Sequence, residues 1–131
     1  MSIPENVKEL IKDEKTIKVL TTVSKGGQPH AVTAGSLMLI NNNELFVAEI
    51  FMNKTSNNMQ ENDKVAVLLV NGMESYILEA KAIKRYSEGD YFDVMTKPLC
   101  EKGLPVKAIW TFEVTSVYDQ SATPNAGKKL V

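Results

Sequence analysis

Between residues 16 and 50 the chain passes through three apolar stretches rich in β-branched residues, separated by two short polar breaks. "TIKVLTTVS" ends at "KGGQ", "PHAVTAGSLMLI" ends at "NNN", and "ELFVAEI" follows. A glycine pair supplies the backbone freedom of a tight hairpin, and Asn tolerates left-handed backbone, so both breaks read as reversals. Strands joined by such short reversals are antiparallel, because a parallel partner needs a crossover of about a dozen residues or more. No strand followed by a glycine-rich turn and a helix occurs elsewhere, which argues against a dinucleotide-binding doubly wound sheet.

The rest of the chain extends this pattern. Ser2 and Glu5 have capping-box spacing with Pro4 in the first turn, and Val7, Leu10 and Ile11 repeat at helical spacing, predicting a helix over residues 3–14. "KVAVLLVN" (64–71) is apolar on both faces, as a central strand would be. After the turn "GMES", "YILEAKAIKRY" alternates, with Tyr76, Leu78, Ala80 and Ala82 on one face. "SEGDYFDVMTKPLCEKG" reads as a helix capped by Ser87 or Asp90, limited by Pro98 and ended at Gly103. "VKAIWTFEVTSVY" is the last strand, with Trp110, Phe112 and Val114 facing one way. The expectation is a mainly β domain over residues 1–131: a six-stranded antiparallel barrel, closed or split, with flanking helices. Residues 119–131 form a polar tail that is either disordered or docked on a partner chain.

Composition narrows the function. Lys and Arg number 15 against 16 Asp and Glu, a net charge of −1. That balance gives no basic excess for the phosphates of a nucleic acid. No apolar run reaches the ~20 residues of a membrane helix. Cys100 is the single cysteine and cannot form an internal disulfide, and "MSIPENVKEL" lacks the layout of a signal peptide, so a cytoplasmic location is expected. One His and one Cys make no metal-ligand cluster. With His30 far from Cys100 in sequence and no third partner evident, Cys100 reads as a packed residue rather than a nucleophile.

One junction stands out. "NKTSNN" (53–58) places a cation, two hydroxyls and three amides between two strands, with neither Gly nor Pro. If Thr55 or Ser56 caps a helix there, the next backbone N–H groups point outward with the positive end of the helix dipole, beside the Lys54 ammonium. Such a cluster suits a phosphate or carboxylate. It is not a P-loop, which needs glycines before the Lys.

The succession "LTTVSKGGQPHAVTAGSLMLINNNELFVA" and "NKTSNNMQENDKVAVLLV", followed by "YILEAKA", resembles the pyridoxamine 5′-phosphate oxidase-like superfamily of FMN-binding split barrels. The resemblance implies an FMN-binding split-barrel fold and an FMN cofactor. Lys54 and Thr55 match the positions that hold the FMN phosphate, with Ser56 and Asn58 on the same turn. Val47, Ala48, Glu49 and Ile50 match the segment along the isoalloxazine ring, and Thr33, Ala34, Gly35 and Ser36 match residues flanking the ring and ribityl chain. It also implies a homodimer with FMN at the interface, where the partner's tail or Trp110 contributes.

The implied activity is that of an FMN-dependent oxidoreductase using a small substrate or a reduced nicotinamide. Arg85 is the single arginine and His30 the single histidine, so the substrate-binding set of a true pyridoxamine 5′-phosphate oxidase is missing, and no catalytic residue is assigned. Alternatives are a non-catalytic FMN protein for electron transfer or storage, the deazaflavin F420 or haem in the same site, and a structural dimer without ligand.

Overall fold

The computed structural model describes residues 1–131. Its elements run α1 (Glu5–Lys12), β1 (Ile17–Val23), β2 (Pro29–Thr33), β3 (Met38–Leu39), β4 (Glu44–Glu49), α2 (Lys54–Glu61), β5 (Lys64–Asn71), β6 (Glu74–Tyr86), α3 (Asp90–Glu101), β7 (Ala108–Asp119) and β8 (Lys128–Lys129). One antiparallel sheet has the order β2-β1-β5-β6-β7-β4-β3, with β8 added to the end of β7. The mainly β split-barrel architecture is as expected, but the strand count is eight rather than six.

The long strands β6 and β7 curl the sheet. Their pairing slips at Glu79/Ala80 and again at Ala82/Lys84, and each irregularity adds local twist. The curl turns one face of every major strand inward. Leu20, Val67, Leu78, Phe112, Val114, Leu45 and Val47 share a single core with Ile3, Val7 and Ile11 of the N-terminal segment. Helix α1 touches both β3, at the sheet edge, and β5, in its middle. It therefore bridges the open side of the half-barrel, and its apolar stripe is the only face that packing requires.

Four local expectations change. The first helix is shorter than residues 3–14, Pro4 stands at its N-cap, and no side chain caps it, so Ser2 forms no capping box. "PHAVTAGSLMLI" is not one strand: Leu37 N–H bonds to the Ala34 carbonyl in a turn, leaving β2 and the two-residue β3 on either side. Gly89 rather than Ser87 or Asp90 caps α3, and Pro98 lies inside that helix, which continues to Glu101. The tail returns to its own sheet. Tyr118 and Asp119 pair with Lys129 and Lys128, and Ser121 Oγ donates to the Ser75 carbonyl at 3.2 Å.

Candidate functional site

An open cleft of about 530 Å³ lies where β2, β4 and the end of α3 meet. Its walls are Val32 to Ser36, then Ala48, Ile50, Phe51 and Met52, with Leu99, Lys102 and Leu104 opposite. The connection after β2 is held against its neighbours from both sides. Ala34 N–H bonds to the Lys18 carbonyl at 2.8 Å, and Ala48 N–H bonds to Ser36 Oγ at 3.0 Å. Buried Lys18 also donates from Nζ to the Leu37 carbonyl at 2.9 Å, and burial lowers the pKa of its ammonium. Small residues set the shape of the wall. A Cβ added to Gly35 would meet no atom within 4 Å, so a flat group can approach its backbone directly.

Beyond Met52 the chain enters α2. Asn53 is the N-cap, with no side-chain capping bond, so the helix starts at Lys54 and neither Thr55 nor Ser56 is the cap. The N–H groups of Lys54, Thr55 and Ser56 have no protein acceptor, since the first capping bond is Asn57 N–H to the Asn53 carbonyl at 3.1 Å. Thr55 is 1% exposed, and its Oγ1 is the buried side-chain polar atom without a hydrogen-bond partner. An orphan hydroxyl of this kind costs free energy, and native structures keep few of them. Ser56 and Asn58 are buried too, but both are engaged inward: Ser56 Oγ with Glu49, and Asn58 Nδ2 with Thr22 Oγ1 at 3.0 Å.

Behind the cleft wall lies a polar knot. Glu49 is 4% exposed. Its Oε1 accepts from Ser56 Oγ, from Trp110 Nε1 at 3.0 Å and from Arg85 Nε at 3.1 Å, and its Oε2 accepts from Arg85 Nη2 at 2.8 Å. Burial alone would raise the pKa of this carboxyl. The hydrogen bonds from Arg85, Ser56 and Trp110, with the charge of Arg85, outweigh burial and lower it to about 2. The knot joins β4, α2, β6 and β7.

The structure thus sorts the twelve candidate residues. Thr33, Ala34, Gly35, Ser36, Ala48 and Ile50 line the cleft. Val47 and Glu49 point the other way, Val47 into the core and Glu49 into the knot, because alternate residues of a strand face opposite sides. Lys54 is exposed at the first position of α2. His30 is half-buried on β2 across from Thr22 and does not line the cleft. Residues the sequence did not reveal are Val32, Phe51, Met52, Leu99, Lys102 and Leu104 in the cleft, and Arg85 on the Glu49 carboxylate. Lys102 is the cleft's single charged side chain.

A profile of the pyridoxamine 5′-phosphate oxidase family matches residues 3–121. The chain belongs to this family. Among proteins similar to this family member, an uncharacterized protein of Methanocaldococcus jannaschii is 26% identical over 134 residues, covering 98% of this chain and 90% of the other. Group A Streptococcus HupZ shares the fold with a TM-score of 0.81 at 23% identity, over 95% of this chain and 99% of that one. An FMN-binding protein from Syntrophomonas wolfei subsp. wolfei superposes with a TM-score of 0.73 at 20% identity, over 88% and 89%. An F420 reductase does so with a TM-score of 0.69 at 14% identity, over 88% and 98%. No helix is long and apolar enough to cross a membrane.

Proposed function

We propose that this family member is an FMN-binding flavoprotein that acts as an oxidoreductase on a small substrate or a reduced nicotinamide. One observation carries the reading. The unpartnered Thr55 Oγ1, the unpaired N–H groups of Lys54 to Ser56 and the exposed Lys54 side chain all belong to the first turn of α2, which starts two residues beyond the cleft wall at Met52. A phosphate monoester needs a cation and several donors, and a helix N-terminus provides both the donors and a favourable field. The cleft beside it, with Ala34, Gly35 and Ala48 in its wall, suits a flat and largely apolar ring. Bound FMN would supply the redox chemistry. The chain's own residues bind it, orient it and keep one side dry.

The functional unit in this reading is a homodimer with FMN at the interface. Phe51 lines the cleft and is 80% exposed. A second copy over this rim would bury it and wall the open side of the cleft. Trp110 is 5% exposed and donates to its own chain's Glu49, so Phe51 rather than Trp110 is the better candidate for contact across the interface.

A non-catalytic FMN carrier is the second reading, and a specific feature favours it. Thr33, Ser36 and Lys102 are the polar side chains of the cleft wall, with no His, Tyr, Cys or carboxylate among them. Efficient proton transfer needs such a group within hydrogen-bond reach. F420 is the alternative cofactor, supported by the fold shared with an F420 reductase. Its acidic tail would call for more cations than Lys54 and Lys102.

The test is the double variant Lys54→Ala/Thr55→Ala, titrated with FMN by flavin fluorescence. Charge-assisted hydrogen bonds contribute about 1.5–3 kcal/mol each, so FMN affinity should fall at least 10-fold with the fold intact. Unchanged affinity would refute the phosphate assignment. Turnover of a reduced nicotinamide by the loaded protein favours the enzyme, and reduction only by a partner redox protein favours the carrier.

A further inference from the structure

Arg85 has no role in the site as built so far, and its surroundings suggest one. It sits near the end of β6, opposite Trp110 of β7, and its side chain is 35% exposed. One edge of the guanidinium, Nε and Nη2, forks onto the two oxygens of Glu49. The end-on edge, Nη1 with the second N–H of Nη2, donates to no protein group, because Glu49 is the only partner of the side chain. A guanidinium can serve two planar acceptors at once in this way.

Its position is tied to α2. The Glu49 Oε1 that accepts from Arg85 Nε also accepts from Ser56 Oγ. Arg85 is therefore two hydrogen bonds from Ser56, the third residue of α2, whose own N–H has no acceptor. A carboxylate buried so close to an anion site would oppose anion binding unless neutralised. The Arg85 fork neutralises it. The orphan Thr55 Oγ1 is a second observation at the same helix start, independent of the charges.

We infer that Arg85 is a phosphate-contacting residue: its free edge completes the anion cradle of Lys54, Thr55 and the first N–H groups of α2, while Glu49 holds its other edge in place. This rests on the FMN reading above and extends it to a residue from a different part of the chain. Glu49 becomes a positioning residue, acting on the ligand through Arg85 and through Ser56.

The experiment compares FMN with riboflavin, which has the same ring and ribityl chain but no phosphate. Arg85→Met alone would strand the Glu49 charge, so the informative variant is Glu49→Gln/Arg85→Met, which removes both charges together. Glu49→Gln alone keeps Arg85 and serves as the control. For the double variant, FMN affinity should fall about 10- to 100-fold with riboflavin affinity within about twofold of wild type. Glu49→Gln, which keeps the Arg85 charge but loosens its fork, should weaken FMN binding by an intermediate factor of about 3- to 10-fold, again with riboflavin affinity within about twofold of wild type. The inference is overturned if the double variant binds FMN as wild type does, or loses FMN and riboflavin affinity in parallel. In either case wild-type binding of FMN leaves the flavin reading standing. A wild-type protein that binds neither flavin overturns both.

Discussion

Replacing Thr55 by valine separates the cost of the proposed anion site from its use. The two side chains have nearly the same shape, and Thr55 is 1% exposed, so valine fills the same space. In the ligand-free protein Oγ1 has no partner. Burying an unsatisfied hydroxyl costs about 1–3 kcal/mol. Helix propensity does not offset this, because the two β-branched residues rank about equally. Thr55→Val should therefore stabilise the ligand-free protein by about 1–2 kcal/mol. For a domain of this size each kcal/mol corresponds to about 3–5 °C in Tm. FMN binding should move the opposite way, weakening about 10-fold or more through loss of a hydrogen bond to a charged phosphate. Thermal unfolding with and without FMN reads both effects in one assay. A variant with an unchanged or lower Tm and unchanged FMN affinity would refute the argument that Thr55 is held for a ligand.

Other expected outcomes probe neighbouring groups. Gly35→Val should leave Tm within about 2 °C, because the added Cβ meets open space, yet should cut FMN affinity by obstructing the cleft wall; equal affinity would remove Gly35 from the ring site. The lowered pKa of Glu49 makes its contribution to stability fully present above its ordinary value of 4.5 and lost as pH falls toward about 2. Urea unfolding of wild type between pH 5 and 2 should show this loss, of order a few kcal/mol, and Glu49→Gln should flatten that slope. Lys18, whose pKa is lowered by burial, binds more protons unfolded than folded as pH approaches its ordinary 10.5, so stability should gain with rising pH in the alkaline range; Lys18→Met should abolish that gain while loosening the Leu37 carbonyl it now holds.

What the sequence revealed depended on how local the cause was. The strands β1, β5 and β7 and the hairpin at Gly26–Gly27 follow from β-branched runs and glycines read in place. The donor-rich start of α2 was legible for the same reason, since "NKTSNN" carries the cation and the hydroxyls within one turn. The two-residue strands β3 and β8 were not, because pairing with β4 and β7 defines them rather than any periodicity. Intrinsic propensity makes Pro98 a helix limit, yet α3 continues past it with Phe92, Met95 and Leu99 half-buried. In the site, the resemblance assigns Val47 to Ile50 together to the segment along the ring, and a strand's period of two sends the Val47 and Glu49 side chains away from the cleft. Arg85 and Trp110 reach Glu49 across 36 and 61 residues, a distance no local pattern spans. Leu99, Lys102 and Leu104 join the cleft only because α3 folds back onto β7, the sheet neighbour of β4.

The most direct measurement is the visible absorption spectrum of the freshly purified protein, followed by release and identification of any chromophore and titration with FMN. The account predicts the paired visible bands of an oxidised flavin, FMN as the released species, and saturable FMN binding that fails in Lys54→Ala/Thr55→Ala. A colourless protein that refuses added FMN would contradict it, leaving the split-barrel fold in place and the cleft without its proposed ligand.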